Sequence, residues 1–294
     1  MAAAHPRHPA RAIIRLPWVK TPQAKTVFVL GGGGNLGAIQ VGMLRAVVER
    51  GIAPDEIVGC SVGAINASAL ASDPTVEGIH RLQELWLTVP DTAMAATRFE
   101  ALRLLTRGTA LQPNSGLRML IEEMLEHRRF EEFPVPFHVV ATSMRTGHER
   151  WFSEGDVVGP ILASAALPGV FPPVTINGET FIDGGVVNNV PISKAYDLRA
   201  TRVVVFHVGN FERARPEPKR PIDVMIQAFS IARGHRFHLD LTSSAPDGVE
   251  LLVLPGVNPG KLRYNDFSRS TELIERGYEA TAAHLDTVDL AIAR

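Results

Sequence analysis

The sequence predicts an α/β fold with a largely parallel central sheet, and three observations carry the prediction. Short β-branched runs alternate with stretches of helical periodicity, the pattern of strands joined by crossover helices. The 294 residues supply ample material for a core, in one large domain or two small ones. Hydrophobic residues make up 45% and charged residues 21%, the balance of a globular chain.

Taken in order, residues 1–25 form a basic tail that carries Arg7, Arg11, Arg15 and Lys20, with no acidic residue before Glu49. Its prolines and its lack of an uninterrupted apolar run predict a disordered segment rather than a signal peptide. A sharper alternative is a lipid-touching segment, with Ile13, Ile14, Leu16 and Trp18 entering the interface of an anionic bilayer. Residues 26–294 read as one domain. The strand candidates are "TVFVL" (26–30), "EIVGC" (56–60), "PFHVVATSM" (136–144), "RVVVFHV" (202–208) and "GVELLVL" (248–254).

Residues 75–132 show helical patterns and no convincing strand, which predicts a helical insertion. Leu82, Leu85 and Trp86, then Phe99, Leu102 and Leu105, recur at helical spacing and are expected to pack against the sheet. A lid over an active site is the alternative use of the same face. In "GLRMLIEEML", Leu117, Leu120, Ile121, Met124 and Leu125 form one apolar face, with Asn114 and Ser115 as candidate caps. The stretch "RARPEPKRP" (213–221) reads as an exposed loop.

A formal net charge of −1 gives no basic face for nucleic acid. Cys60 is the single cysteine, so neither an intrachain disulfide nor a cysteine zinc site can form, and a reducing, cytoplasmic setting is expected. No apolar run reaches the roughly 18 residues of a transmembrane helix. The ten histidines include no His-x-x-x-His pair flanking a glutamate, so no metal hydrolase is expected.

The chemistry begins at "VFVLGGGGNLGAIQVGML" (27–44). Gly32-x-Gly34-x-x-Gly37 after a strand fits a dinucleotide fingerprint, but no acidic residue ends the second strand to hold a ribose. The second strand instead runs out into "GCSVG", where Gly59-x-Ser61-x-Gly63 lies between strand and helix. In that context the pattern marks a sharp turn that exposes a nucleophilic serine. A serine nucleophile needs donors for the developing oxyanion, and the bare backbones of Gly32, Gly33 and Gly34 suit that need. For the base, "TFIDGGVVNNVPI" puts Asp183 at the end of a short strand, before Gly184 and Gly185. Upstream, "ASAALPGVFPPV" (163–174) forms an apolar wall stiffened by Pro168, Pro172 and Pro173. His207 ends a later strand, and Ser61, Asp183 and His207 follow the chain order of an α/β-hydrolase triad.

Four segments resemble the motifs of the patatin-like phospholipase family. "GGGGNLGAIQVGML" resembles its glycine-rich oxyanion motif and "GCSVGAIN" its nucleophile elbow. "ASAALPGVFPPV" resembles its alanine-serine-proline block and "DGGVVNNVP" its aspartate-glycine motif. The four span residues 27–197. The resemblance implies a three-layer α/β/α fold and a Ser–Asp dyad, with Ser61 as nucleophile and Asp183 as base. It implies oxyanion amides from Gly32, Gly33 and Gly34, supported by Gly37, Gly59, Gly63, Gly184 and Gly185. The implied reaction is hydrolysis of lipid acyl esters through an acyl-serine intermediate, without cofactor or metal, by an enzyme in peripheral contact with membrane. The alternatives are a short-chain esterase or thioesterase using Ser61, Asp183 and His207, and, more remotely, a dinucleotide-binding protein. One departure stands out: Leu36 occupies a position where the family commonly has arginine or lysine.

Overall fold

The computed structural model describes residues 24–88, 110, 112–209, 217–219, 221–242, 245–260, 262 and 266–288. Residues 1–23 of the basic tail, Phe99, Leu102 and Leu105 lie outside the described residues, as does most of the 213–221 stretch, whereas Lys25 is held in place by bonds to Thr201 and Leu198. The strands are β1 (Thr26–Leu30), β2 (Glu56–Cys60), β3 (Phe137–Ser143), β4 (Glu149–Phe152), β5 (Val174–Ile176), β6 (Glu179–Asp183), β7 (Arg202–Phe206) and β8 (Glu250–Val253). They form one sheet in the order β5-β6-β3-β2-β1-β7-β8, with β4 paired to β3 off that path. Pairing is parallel from β3 through β2, β1 and β7 to β8, and antiparallel where β3 meets β4 and β6 and where β6 meets β5. The mainly parallel α/β architecture expected from the sequence is therefore the observed one.

β1 is buried along its whole length, as the continuous apolar run of a strand covered on both faces requires. The long helices are α1 (Gly37–Val48), α2 (Val62–Ser72), α3 (Val76–Thr88), α4 (Ser115–Met124), α7 (Pro221–Thr242) and α8 (Ser270–Leu285). Two short helices, α5 (Val158–Ser164) and α6 (Ile192–Asp197), complete the set. The larger core gathers Phe28, Leu30, Ile57 and Phe206 with Ile39 and Met43 of α1, Leu70 of α2 and Ile274 of α8. On the opposite face Val27, Val29, Val58, Val203 and Val205 pack with Ile192 and Ala195 of α6 and Phe237 of α7. Alternate residues of β1 thus serve opposite cores, which is the period-two geometry of a strand between two helical layers.

α1 crosses α8 at close range because both helices carry glycine at the crossing. A Cβ at Gly42 would lie 1.9 Å from the Ile274 carbonyl oxygen, and one at Gly277 would lie 2.4 Å from that of Ile39. Beneath them runs a buried polar chain. Trp86 Nε1 donates to Asn66 Oδ1 (3.0 Å), Asn66 Nδ2 donates to Gln40 Oε1 (3.0 Å), and Gln40 Nε2 donates to the carbonyls of Gly31 (2.7 Å) and Phe206 (3.0 Å). This chain ties α3, α2 and α1 to the ends of β1 and β7.

Three details differ from expectation. β4 ("ERWF") and β5 ("VTI") are strands that the sequence pattern does not predict; one is half charged and the other is three residues long behind Pro172 and Pro173, so neither shows a strand's alternation. Asn114 stands at the start of α4, but its side chain makes no capping bond; its carbonyl accepts from Arg118 N at 2.8 Å instead. The described part of the insertion serves both core and cavity: Leu82 is buried, while Leu85, Trp86, Leu117 and Leu120 line a pocket beside Ser61.

Candidate active site

The register of β3 brings the two key side chains together. Cys60, the last residue of β2, pairs with Val140, and Asp183, the last of β6, pairs with the adjacent Ala141. Ser61 follows Cys60 directly, so it emerges beside Asp183 although 122 positions separate them. Its Oγ donates to Asp183 Oδ2 at 2.8 Å. The other carboxylate oxygen, Oδ1, accepts the Gly185 N–H at 2.7 Å, which fixes the plane of the carboxyl.

Ser61 sits at the turn from β2 into α2 with φ 55° and ψ −126°, a region L-residues rarely occupy. Such a conformation costs about 1–3 kcal/mol and persists only where its surroundings enforce it. Here the Ser61 N–H donates to the buried Ser164 Oγ at 2.8 Å. Gly59 and Gly63 let the strand, the turn and α2 close up: a Cβ at Gly63 would stand 2.2 Å from the Leu30 carbonyl oxygen, and one at Gly59 2.7 Å from Ala64 Cα. Gly184 is equally constrained, with Val140 O 2.3 Å from where its Cβ would be. A bulkier residue at any of these positions would separate Ser61 from Asp183.

Asp183 is 1% exposed and Ser61 8%. Burial pushes the Asp183 carboxyl above the ordinary aspartate range; the bonds from Ser61 and Gly185 and the positive charge of Arg233 oppose the shift without cancelling it. Burial likewise pushes the Cys60 thiol well up, so the side chain before Ser61 stays a neutral core thiol.

The glycine loop arches over the same point. The Gly32 N–H, expected among the oxyanion donors, is already used: it donates to the Asn189 carbonyl at 3.0 Å, while Asn189 Nδ2 donates back to the Gly32 carbonyl at 3.2 Å. Gly33 and Gly34 are placed differently. Both line the cavity with Ser61, and no backbone carbonyl among the described residues accepts from either N–H. Gly34 adopts φ 61°, open to glycine at little cost, and the chain then turns into α1. At Gly37 a Cβ would strike Val62 Cγ2 at 2.4 Å, so this glycine serves the packing of α1 against α2.

The cavity has a volume of about 160 Å³, and Ser61 and Asp183 belong to its lining. Its apolar wall comes from Leu85, Leu117, Leu120, Leu167, Val170 and Phe171, so the "ASAALPGVFPPV" segment does stand beside Asp183. α7 adds Ile226, Phe229 and Arg233.

His207 is not brought to the dyad. It lies just past β7, its ring stacks on Phe237 at 5.0 Å between centroids, and burial holds its imidazole below the ordinary histidine range. Both Asp183 oxygens are engaged elsewhere, so the Ser61–Asp183–His207 relay is not assembled. Three contributors escape sequence reasoning. Ser164 enters only as part of the alanine-serine-proline block with no role of its own, Asn189 lies unmarked after the aspartate-glycine pair, and Arg233 lies in a region with no recognisable motif.

The chain is similar to several known proteins. The chain is 31% identical over 184 residues to patatin-like phospholipase domain-containing protein 7 of Rattus norvegicus, an alignment covering 62% of this chain and 13% of that protein. It is 27% identical over 220 residues to an uncharacterised NTE family protein of Mycobacterium bovis, covering 72% and 56% of the two chains. It is 27% identical over 197 residues to lysophospholipase nte1 of Aspergillus terreus, covering 64% and 12%. The chain therefore spans well under two thirds of the curated relatives it matches. Among solved structures, VipD from Legionella pneumophila aligns at 15% identity and a TM-score of 0.48, over 90% of this chain and 67% of that one. Residues 28–196 match the family described as patatin-like phospholipase, more than half the chain, and the protein belongs to that family.

Proposed function

We propose that this protein hydrolyses lipid carboxylic esters by a Ser–Asp dyad. The observation that carries the reading is the 2.8 Å bond from Ser61 Oγ to Asp183 Oδ2 beside an apolar cavity. In the proposed cycle Asp183 takes the Ser61 proton as Oγ attacks the acyl carbonyl. The negative charge moves to the carbonyl oxygen, where the N–H groups of Gly33 and Gly34 stabilise it. Collapse breaks the ester C–O bond, and Asp183 returns the proton to the departing alcohol. Water, deprotonated by the same carboxylate, then attacks the acyl-serine and releases a carboxylic acid and free Ser61.

The apolar lining supports an acyl chain rather than a sugar or a nucleotide as the group that enters the cavity. The names of relatives, phospholipase and lysophospholipase among them, point the same way. With Gly32 bonded to Asn189 and a serine where a ribose-binding acid would stand, nothing supports a dinucleotide site.

A p-nitrophenyl ester series from short to long acyl chains tests the reading. Turnover should fall by roughly 10³-fold or more in Ser61→Ala, persist in His207→Ala, and favour longer chains over acetate. Equal rates in the wild type and Ser61→Ala would overturn the proposal, and loss of turnover in a folded His207→Ala would restore the triad.

A further inference from the structure

Asp183 and the glycine loop are both reached by one side chain from outside the family-matched segment. Arg233 lies on α7, beyond residues 28–196, and its Nη1 donates to Asn189 Oδ1 at 3.2 Å. Asn189 is buried and clasps the glycine loop through its reciprocal pair of bonds with Gly32. The stem of Arg233 passes over the turn after Asp183, where a Cβ at Gly185 would be 3.3 Å from Arg233 Cδ and 2.6 Å from Asn189 Oδ1. One helical turn earlier, the Phe229 ring lies 4.6 Å from the guanidinium carbon and holds it in place.

We propose, resting on the dyad reading, that Arg233 is a positioning residue: through Asn189 it sets the glycine loop over Ser61 and beside Asp183. A cation stands in the site although Leu36 occupies the family's usual basic position. It comes from α7 and acts on the loop through Asn189, whereas the family's usual cation would stand in the loop itself. Burial raises the Asp183 carboxyl, and the Arg233 charge opposes that shift behind the bonds from Ser61 and Gly185. The groups facing Asp183 are few. Ser61 and the Gly185 N–H bind it, Arg233 approaches from α7, and the neutral Cys60 thiol lies behind it on β2. Glu149 on β4, farther out, accepts from Asn188 Nδ2 at 3.0 Å and lies 4.0 Å from Arg236 Nη2.

The test uses an uncharged p-nitrophenyl ester, so that binding of a substrate anion cannot contribute. Arg233→Lys keeps the charge, Arg233→Gln keeps a donor without charge, and Arg233→Met keeps neither. In Arg233→Met, kcat should drop about tenfold or more, since small misplacements of a site cost up to 10²-fold, while KM stays within about twofold. The acidic limb of the kcat profile should move to higher pH in Arg233→Gln and Arg233→Met and stay near the wild-type position in Arg233→Lys. If Arg233→Met fails to fold, the contrast between lysine and glutamine still decides. Unchanged kcat and pH midpoint, or a loss confined to KM, would overturn the positioning role. In parallel, the rate at which a neutral fluorophosphonate modifies Ser61 is followed by mass spectrometry. A wild type that is neither labelled nor active defeats the dyad reading and this proposal with it; a labelled wild type with unaffected variants defeats this proposal alone.

Discussion

Ser61 and Asp183 form a nearly dry pair, and dryness has a thermodynamic signature as well as a catalytic one. A carboxyl whose pKa in the folded state exceeds its unfolded value, about 3.9, favours folding when protonated. That contribution is complete below the unfolded value and is lost as pH rises through the raised folded value. At neutral pH, then, wild-type Asp183 costs the fold stability, whether through a desolvated charge or through the proton it must take up. Asp183→Asn, whose amide can still accept from Gly185 and donate to Ser61, should be inactive yet melt higher than wild type at pH 7. The gap should shrink toward zero as the pH is lowered to about 4, and thermal melts across that range check it; a wild type that is the more stable at pH 7 would contradict the argument. Both residues are legible in the sequence because a serine at so sharp a turn needs glycine on either side and an aspartate at this strand end shows as Asp-Gly-Gly. The engagement of the Gly32 amide is not, because its partner, the Asn189 carbonyl, is 157 positions away and is fixed only when β1 and the turn after β6 come together.

At the level of elements, the largely buried strands β1, β2, β3 and β7 are the easiest to read, since each holds a short apolar core with β-branched residues. The short antiparallel margin is invisible: β4 and β5 gain their conformation from pairing rather than from composition. α7 escapes as well, although it supplies three residues of the cavity wall, because nothing in its sequence marks a site. The α1–α8 crossing shows how much packing can rest on absent side chains. Gly42→Ala places a methyl where the Ile274 carbonyl already is, and overpacking of this kind costs about 1–3 kcal/mol. Its melting temperature should fall by several degrees with Ser61-dependent chemistry intact at low temperature. Gly277→Ala should behave alike, and the double variant should lose less than the sum, because one displaced helix relieves both clashes. Strict additivity in calorimetry would mean that the two glycines do not share a contact.

For the whole molecule, a net charge of −1 gives no global sign of a nucleic-acid binder, and no helix among the described residues is long and apolar enough to cross a membrane. Composition says nothing about which half of the chain completes the other. Every motif recognisable in the sequence lies before residue 198, yet the next strand, β7, pairs with β1 along its full length. The Phe206 carbonyl at its end accepts from both Gly31 N (3.1 Å) and Gln40 Nε2 (3.0 Å), so β7 also anchors the root of the glycine loop. A chain ending at Asp197 should therefore show no cooperative melt and should elute as aggregate on size exclusion, its central strand turned into a bare edge. A compact, cooperatively melting fragment would disprove this. Inheritance and folding thus draw different borders through the same polypeptide. The stretch whose ancestry can still be read carries the candidate site, and the less recognisable remainder is the material that holds that site in shape.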